Sequence, residues 1–268
     1  MMLGAAMLTT SCISEERDWD EPLQTKTGAL KLNLNADAAF ATQTRALNEA
    51  AYRNTNNSTV QLINVSNEAV LMECQGSELE DKLPKTLEIG SYEIKAFYGN
   101  EYDASRTGFR VEGSKSFTIA AEQTTQVEVD CAPTCGKVTV AFASEMSTYY
   151  SNYSVTFGGT AALGTKTFAW AKADTDPWYV AIGTSAERVT YTVNLIANDD
   201  YVYVDGQGNK SATGSVTGSF TLERNKAQKL TVSPVYNPPT EGGLSITITI
   251  DDTTNDRPVT IEVPVSWI

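Results

Sequence analysis

The chain has 268 residues, 41% of them hydrophobic, with 33 acidic against 20 basic side chains and a formal net charge of −13. That length suits two ordinary domains, each able to bury a core without metals or dense disulfides. The acidic balance argues against nucleic acid and against electrostatic docking on anionic lipid. Histidine is absent, which removes Ser-His-Asp and Cys-His catalysis and His-based zinc sites but leaves carboxylate-pair chemistry of the glycosidase type open.

Residues Met1 to Ser11 are small or apolar and run into Cys12. Leu8-Thr9-Thr10-Ser11-Cys12 resembles a bacterial lipobox, where small residues admit the signal peptidase and the cysteine thiol is acylated. The apolar run is too short to span a bilayer. A polar, acidic stretch follows it, Glu15-Glu16-Arg17-Asp18-Trp19-Asp20-Glu21-Pro22. A signal peptide opens on Lys or Arg, and none precedes Arg17, so the expected translation start lies upstream of Met1. Acidic residues after the lipidated cysteine resemble the export signal of Bacteroidetes surface lipoproteins. The expectation is a signal peptide and lipobox over 1–12 with lipid on Cys12, then an acidic tether over 13–27. It places the protein lipid-anchored at the cell surface of the outer membrane.

Beyond the tether, period-two alternation predicts strands in chain order. Leu30, Leu32 and Leu34 alternate with Lys31 and Asn33, and Tyr92, Ile94, Ala96 and Tyr98 with Glu93, Lys95 and Phe97. Val138-Val140-Phe142, Tyr191-Val193-Leu195, Ile246-Ile248-Ile250 and the run from Val259 to Trp267 follow the same rule. Gly, Asn, Asp and Ser clusters separate these runs as turns. The best helix candidate is short, around Arg45 to Arg53.

The chain also repeats itself. Ser116-Phe117-Thr118-Ile119 returns as Ser219-Phe220-Thr221-Leu222, 103 residues on, and at that offset Val127 matches Leu230 and Val129 matches Val232. A β-hairpin shared one domain-length apart predicts tandem related domains, with a boundary near Ala132-Pro133-Thr134. The predicted fold is all-β, two tandem antiparallel β-sandwich domains, over 28–133 and 134–268.

Placed in this order, the elements resemble the fimbrillin-like surface lipoproteins of the Bacteroidales, the type V pilin superfamily, and within it a sub-family known only as a domain of unknown function. The residues that carry the resemblance are Gly28-Ala29-Leu30-Lys31-Leu32-Asn33-Leu34 with the following Thr44-Arg45, then Leu83-Pro84 and Leu87 to Ala96 with Gly99, and last Val127-Glu128-Val129-Asp130-Cys131 leading into Lys137-Val138-Thr139-Val140. They span about half the chain and are strand and turn motifs. The resemblance implies transthyretin-like sandwiches and a role in fimbriae or adhesion. It also implies that Arg45 is a candidate processing site for an Arg-specific protease, whose cut opens a groove for a neighbour's donor strand. An ordinary solvated loop arginine fits the same residue, and Pro258 to Ile268 fits either a donor strand or the last strand of its own domain.

The remaining chemistry is sparse. If Cys12 carries lipid, then Cys74, Cys131 and Cys135 remain in an oxidising compartment. Cys131 and Cys135 bracket a short loop and are a candidate disulfide; Cys131 also fits a small buried hydrophobe at a strand end. No metal or cofactor is expected, since three cysteines without histidine make poor zinc ligands and the Asp-rich turns at 199–209 lack calcium-loop spacing. Trp170, Trp178 and Tyr179 flank a polar loop, Lys172 to Pro177, and form a candidate stacking platform for sugars, although aromatics in a sandwich are more often core. The expected function is a cell-surface lipoprotein of adhesion or pilus assembly, binding other pilin-like subunits or surface ligands and catalysing nothing. The alternative is a surface glycan-binding lipoprotein with the second domain as its binding module.

Overall fold

The computed structural model describes residues 26–38, 47–201, 203–204, 210–236, 244–252 and 258–263. The chain is all-β. Its first half supplies β1 (Thr27–Ala36), β2 (Thr59–Asn64), β3 (Val70–Gln75), β4 (Lys85–Glu88), β5 (Gly90–Gly99), β6 (Ala104–Ser105), β7 (Arg110–Ile119) and β8 (Thr124–Pro133). The second half supplies β9 (Cys135–Phe142), β10 (Tyr150–Gly158), β11 (Phe168–Ala171), β12 (Trp178–Ala181), β13 (Glu187–Ala197), β14 (Tyr203–Val204), β15 (Lys210–Ser211), β16 (Thr213–Leu222), β17 (Ala227–Tyr236), β18 (Leu244–Asp252) and β19 (Pro258–Val263).

The first sandwich is a seven-stranded sheet ordered β3-β2-β5-β7-β8-β1-β4. It folds over at the β7–β8 join, where pairing is confined to Val111↔Pro133 and Glu112↔Ala132. Alternation sends Val60, Leu62, Ile94 and Tyr92 from one layer and Leu30, Val127 and Val129 from the other into one core, as a half-buried strand requires. In the second sandwich the order β11-β10-β13-β16 faces β19-β18-β17-β9-β12-β6, around a core that includes Val155, Phe157, Val193, Leu230 and Ile248.

The two sandwiches share one plan. In the first, β5 pairs with β2 and β7, and β1 with β4 and β8. In the second, β13 pairs with β10 and β16, and β9 with β12 and β17. Phe117 and Phe220 occupy equivalent strands, opposite Tyr92 and Val189, so the hairpin repeat seen in the sequence is structural. Even the turns agree: Glu122 and Asn225, also 103 residues apart, are both left-handed, at φ 59° and 58°.

Not all pairing is antiparallel. β1 runs parallel to β8, and β9 parallel to β17: in both sandwiches the first strand lies beside the second strand of the repeated hairpin, which ends the first sandwich and is followed by β18 and β19 in the second. β6 departs from the chain-order division: it precedes residue 133 yet pairs with β12, Tyr179↔Ser105 and Val180↔Ala104, and so edges the second sandwich's sheet. Of the helix expected around Arg45 to Arg53, the described part is a single 3-10 turn, Glu49–Arg53.

Candidate functional site

The join between the sandwiches holds the densest buried chemistry in the described molecule. β9 is buried on both faces at its start, through Cys135, Gly136, Lys137 and Val138, because elements of the first sandwich cover the side that alternation turns outward. Lys137 is 4% exposed there and its Nζ lies 2.8 Å from Glu49 Oε1, on a residue only 1% exposed. The Tyr179 hydroxyl donates to the same Oε1, while Glu49 Oε2 accepts no hydrogen bond among the described residues. Glu49 comes from the first sandwich and the other two from the second.

Aromatic contacts run alongside. Tyr52 stacks on Phe109 at 3.9 Å, and Phe109 lies 4.8 Å from Tyr179. Gly99 admits this crossing: at φ 81° it occupies the left-handed region, and a Cβ there would stand 2.0 Å from the Phe109 carbonyl oxygen.

A second clasp follows β6. Arg106 projects over both Trp170 and Trp178, its guanidinium carbon 5.1 and 4.8 Å from the two rings. Its Nη2 donates to Asp174 Oδ2 at 2.6 Å and to the Ala169 carbonyl at 3.1 Å. The indole N–H groups are committed too, Trp170 to the Asp174 carbonyl and Trp178 to that of Ala169, each at 3.0 Å. Burial pushes the Asp174 carboxyl upward, but the Ala171 amide and Arg106 outweigh it and hold the group below its ordinary value.

These placements settle where the sequence candidates stand. Trp170 and Tyr179 are each 1% exposed and Trp178 is half-buried under Arg106, so the three present no open stacking face; the first sandwich covers them. Cys131 and Cys135 form no disulfide and are separately buried, as is Cys74. Cys131 Sγ points to the Ala96 carbonyl at 3.8 Å inside the first core, and burial pushes its thiol up to about 11. The Cys135 thiol is likewise pushed up by burial, which suppresses thiolate chemistry at both. Cys12 and Arg45 lie outside the described residues. Glu49, Lys137 and Arg106 escaped the sequence reading. Lys137 alternates as a solvent-facing residue, and only the partner sandwich reverses that.

A cleft of about 380 Å³ opens beside the join, floored by Phe109, Cys135, Tyr179 and Ile182. Its charged rim is internally paired: Arg110 Nε to Glu112 at 2.8 Å, and Arg224 Nε to the Ile182 carbonyl at 2.7 Å. Among the described residues no cluster of His, Cys, Asp or Glu could hold a metal ion, and no helix is long and apolar enough to cross a membrane. The arrangement fastens two sandwiches together.

Among solved structures, the chain is similar to a candidate adhesin from Bacteroides ovatus at 10% identity, covering 87% of this chain and 95% of that one with a TM-score of 0.47. It is similar to a fimbrial assembly protein from Parabacteroides distasonis at 10% identity, covering 88% and 98%, TM-score 0.40. It is also similar to the fimbrial anchor protein Mfa2 from Porphyromonas gingivalis at 9% identity, covering 84% and 98%, TM-score 0.39. No curated protein matches. The model of one family, described as a domain of unknown function (DUF4493), matches residues 26–265. That span contains every motif on which the resemblance was read, and the chain belongs to the DUF4493 family.

Proposed function

We propose that the chain is a cell-surface lipoprotein of adhesion or pilus assembly, held by lipid on Cys12, that works by structure and binding and catalyses nothing. The observation that carries this reading is the commitment of the buried ionisable groups at the join to one another. Glu49, Lys137 and Tyr179 tie one sandwich to the other, as do Arg106 and Asp174, so the best-positioned polar groups serve cohesion. Two sandwiches over 28–133 and 134–268, clasped by β6, make a unit suited to bearing a surface ligand or a neighbouring subunit. In this reading the first sandwich is a spacer and recognition concentrates in the second. Cleavage at Arg45 and donation of the Pro258 to Ile268 strand belong to the assembly variant of the same proposal.

The test is made in the native host. Protease shaving of intact cells should release peptides of the second sandwich, and mass spectrometry of membrane fractions should find an acylated N-terminal Cys12. Deletion of the gene should reduce adherence or fimbriation. An unmodified Cys12 in a soluble secreted product removes the anchor, and turnover of any member of a glycoside panel by the purified chain removes the non-catalytic reading.

A further inference from the structure

Strand register lays the outward side chains of β10, β13 and β16 in cross-strand rows. They are Thr156–Thr192–Thr217, then Ser154–Asn194–Ser215, then Asn152–Ile196–Thr213. All of these are neutral, in a chain where 20% of residues are charged. At the same register the first sandwich carries Gln61–Lys95–Ser114, then Thr59–Phe97–Glu112, then Gly99–Arg110, with Arg110 and Glu112 paired at 2.8 Å. Neutrality is therefore a property of these three rows and not of the shared strand plan. Over the last two rows of the second sandwich the surface dips into a hollow of about 480 Å³, bordered by Asn152, Ser154, Asn194, Ile196, Thr213 and Ser215.

We propose that this hollow binds a neutral glycan. Serine, threonine and asparagine each donate and accept hydrogen bonds, as sugar hydroxyls do, so a sugar can replace surface water partner for partner. None of these nine residues carries a charge that would have to be stripped of water without a counter-charge, the step that makes burial of an acid or a lysine costly. The Asn194 amide nitrogen already donates to Thr156 Oγ1 at 3.3 Å and to the Thr192 carbonyl at 3.4 Å, which orients the carboxamide before a ligand arrives. Ile196, 40% exposed in the middle of its row, offers an apolar contact to the C–H groups of a sugar ring. An acidic polysaccharide would be repelled by the net charge of −13.

This inference deepens the adhesion reading by naming a ligand class. Its test uses the full chain in soluble form, so failure of lipid anchoring or of pilus assembly leaves the outcome readable. The chain is run through native gels containing mannan, dextran or galactan, and through gels containing heparin or polygalacturonate. Retardation by at least one neutral polysaccharide is expected, with affinity about tenfold weaker in Asn194→Glu and in Ser215→Glu and unchanged in Thr118→Glu on the outer face of the first sandwich. Unchanged thermal unfolding of the exposed-face variants assigns any loss to the face itself. The proposal is overturned by no retardation in any neutral gel, by retardation in polyanion gels alone, or by retardation that both face variants retain. Light scattering supplies a further overturning result: a dimer that Asn194→Glu or Ser215→Glu dissociates gives the face to a second copy of the chain.

Discussion

On the sheet of the first sandwich formed by β2, β5 and β7, the outward positions carry Glu93, Lys95 and Glu112 among their polar neighbours; on the matching sheet of the second they carry Thr192, Asn194 and Thr217. The inward positions barely differ in kind. Val127 and Val129 of β8 answer to Leu230 and Val232 of β17, all of them buried. Core positions are held to apolar volume by packing, whereas outward positions answer only to what they meet. The two copies of one plan thus differ mainly on their outer faces. A second contrast lies at the join. The first sandwich sends β6, Arg106 and Glu49 across, and the second supplies the pockets that receive them.

That asymmetry is broken most severely at the buried ion pair. Lys137→Met leaves the Glu49 carboxylate buried without its cation, and should lower stability by about 3 to 5 kcal/mol, read from urea unfolding of the intact chain. Glu49→Leu combined with Lys137→Met should recover most of the loss, since a buried pair replaced by apolar groups is nearly neutral. Equal losses in the double and single variants would show that the pair contributes through more than its charges.

The equivalence of the hairpins is sharpened by truncation. Phe220 is 8% exposed, packed between Phe157 and Tyr191, whereas Phe117 is half-buried against Tyr92. Phe220→Ala should cost about 3 to 5 kcal/mol and Phe117→Ala clearly less. The same calorimetric or urea measurement ranks them, and the reverse order would mean that the copies are packed differently from their register.

Smaller still is the effect of Arg106→Gln, expected near 1 kcal/mol from the lost contact with two indole faces and a partly exposed carboxylate. It carries a pH signature. Because the Asp174 pKa is depressed in the folded chain, its contribution is present above the unfolded carboxyl value and fades as pH falls through the folded one, below about pH 4. The acid limb of stability against pH should therefore flatten in Arg106→Gln, a change that urea midpoints across that range would detect.

Much of this architecture is legible in the sequence. The alternation of Leu30, Tyr92-Ile94-Ala96 and Val193-Leu195 predicts buried faces that the structure contains, and the Phe117 and Phe220 hairpins reveal the duplication. Period-two patterning says which face a residue takes but not the direction of the neighbouring strand, so the parallel β1–β8 and β9–β17 pairs are invisible to it. Nor does it know of a second layer. Lys137 reads as solvent-facing, and Trp170 stays open between platform and core, because the residues that cover them, Glu49 and Arg106, lie 88 and 64 positions earlier in the chain. The neutral rows of the second sandwich escape a reading that looks for charges and aromatics, since nine ordinary polar and aliphatic residues become a surface only once register aligns them.

The parallel pairing of β1 with β8 governs how the first sandwich would carry tension. β1 enters beside the start of β8, and the two run together from Ala29↔Thr124 to Ala36↔Cys131. A pull on the chain before Thr27, resisted beyond Pro133, slides these strands past one another lengthwise. Their hydrogen bonds then stretch as a group in shear, instead of opening one after another from an end as a hairpin does when it is unzipped. The β9–β17 pair is aligned in the same way, from Lys137↔Ala227 to Phe142↔Val232, but the chain runs on from β17 into β18 and β19. The first sandwich is therefore a shear clamp, whereas in the second a pull on the chain beyond β19 first loads the antiparallel β18–β19 and β17–β18 pairs; the two halves of one plan would meet tension differently.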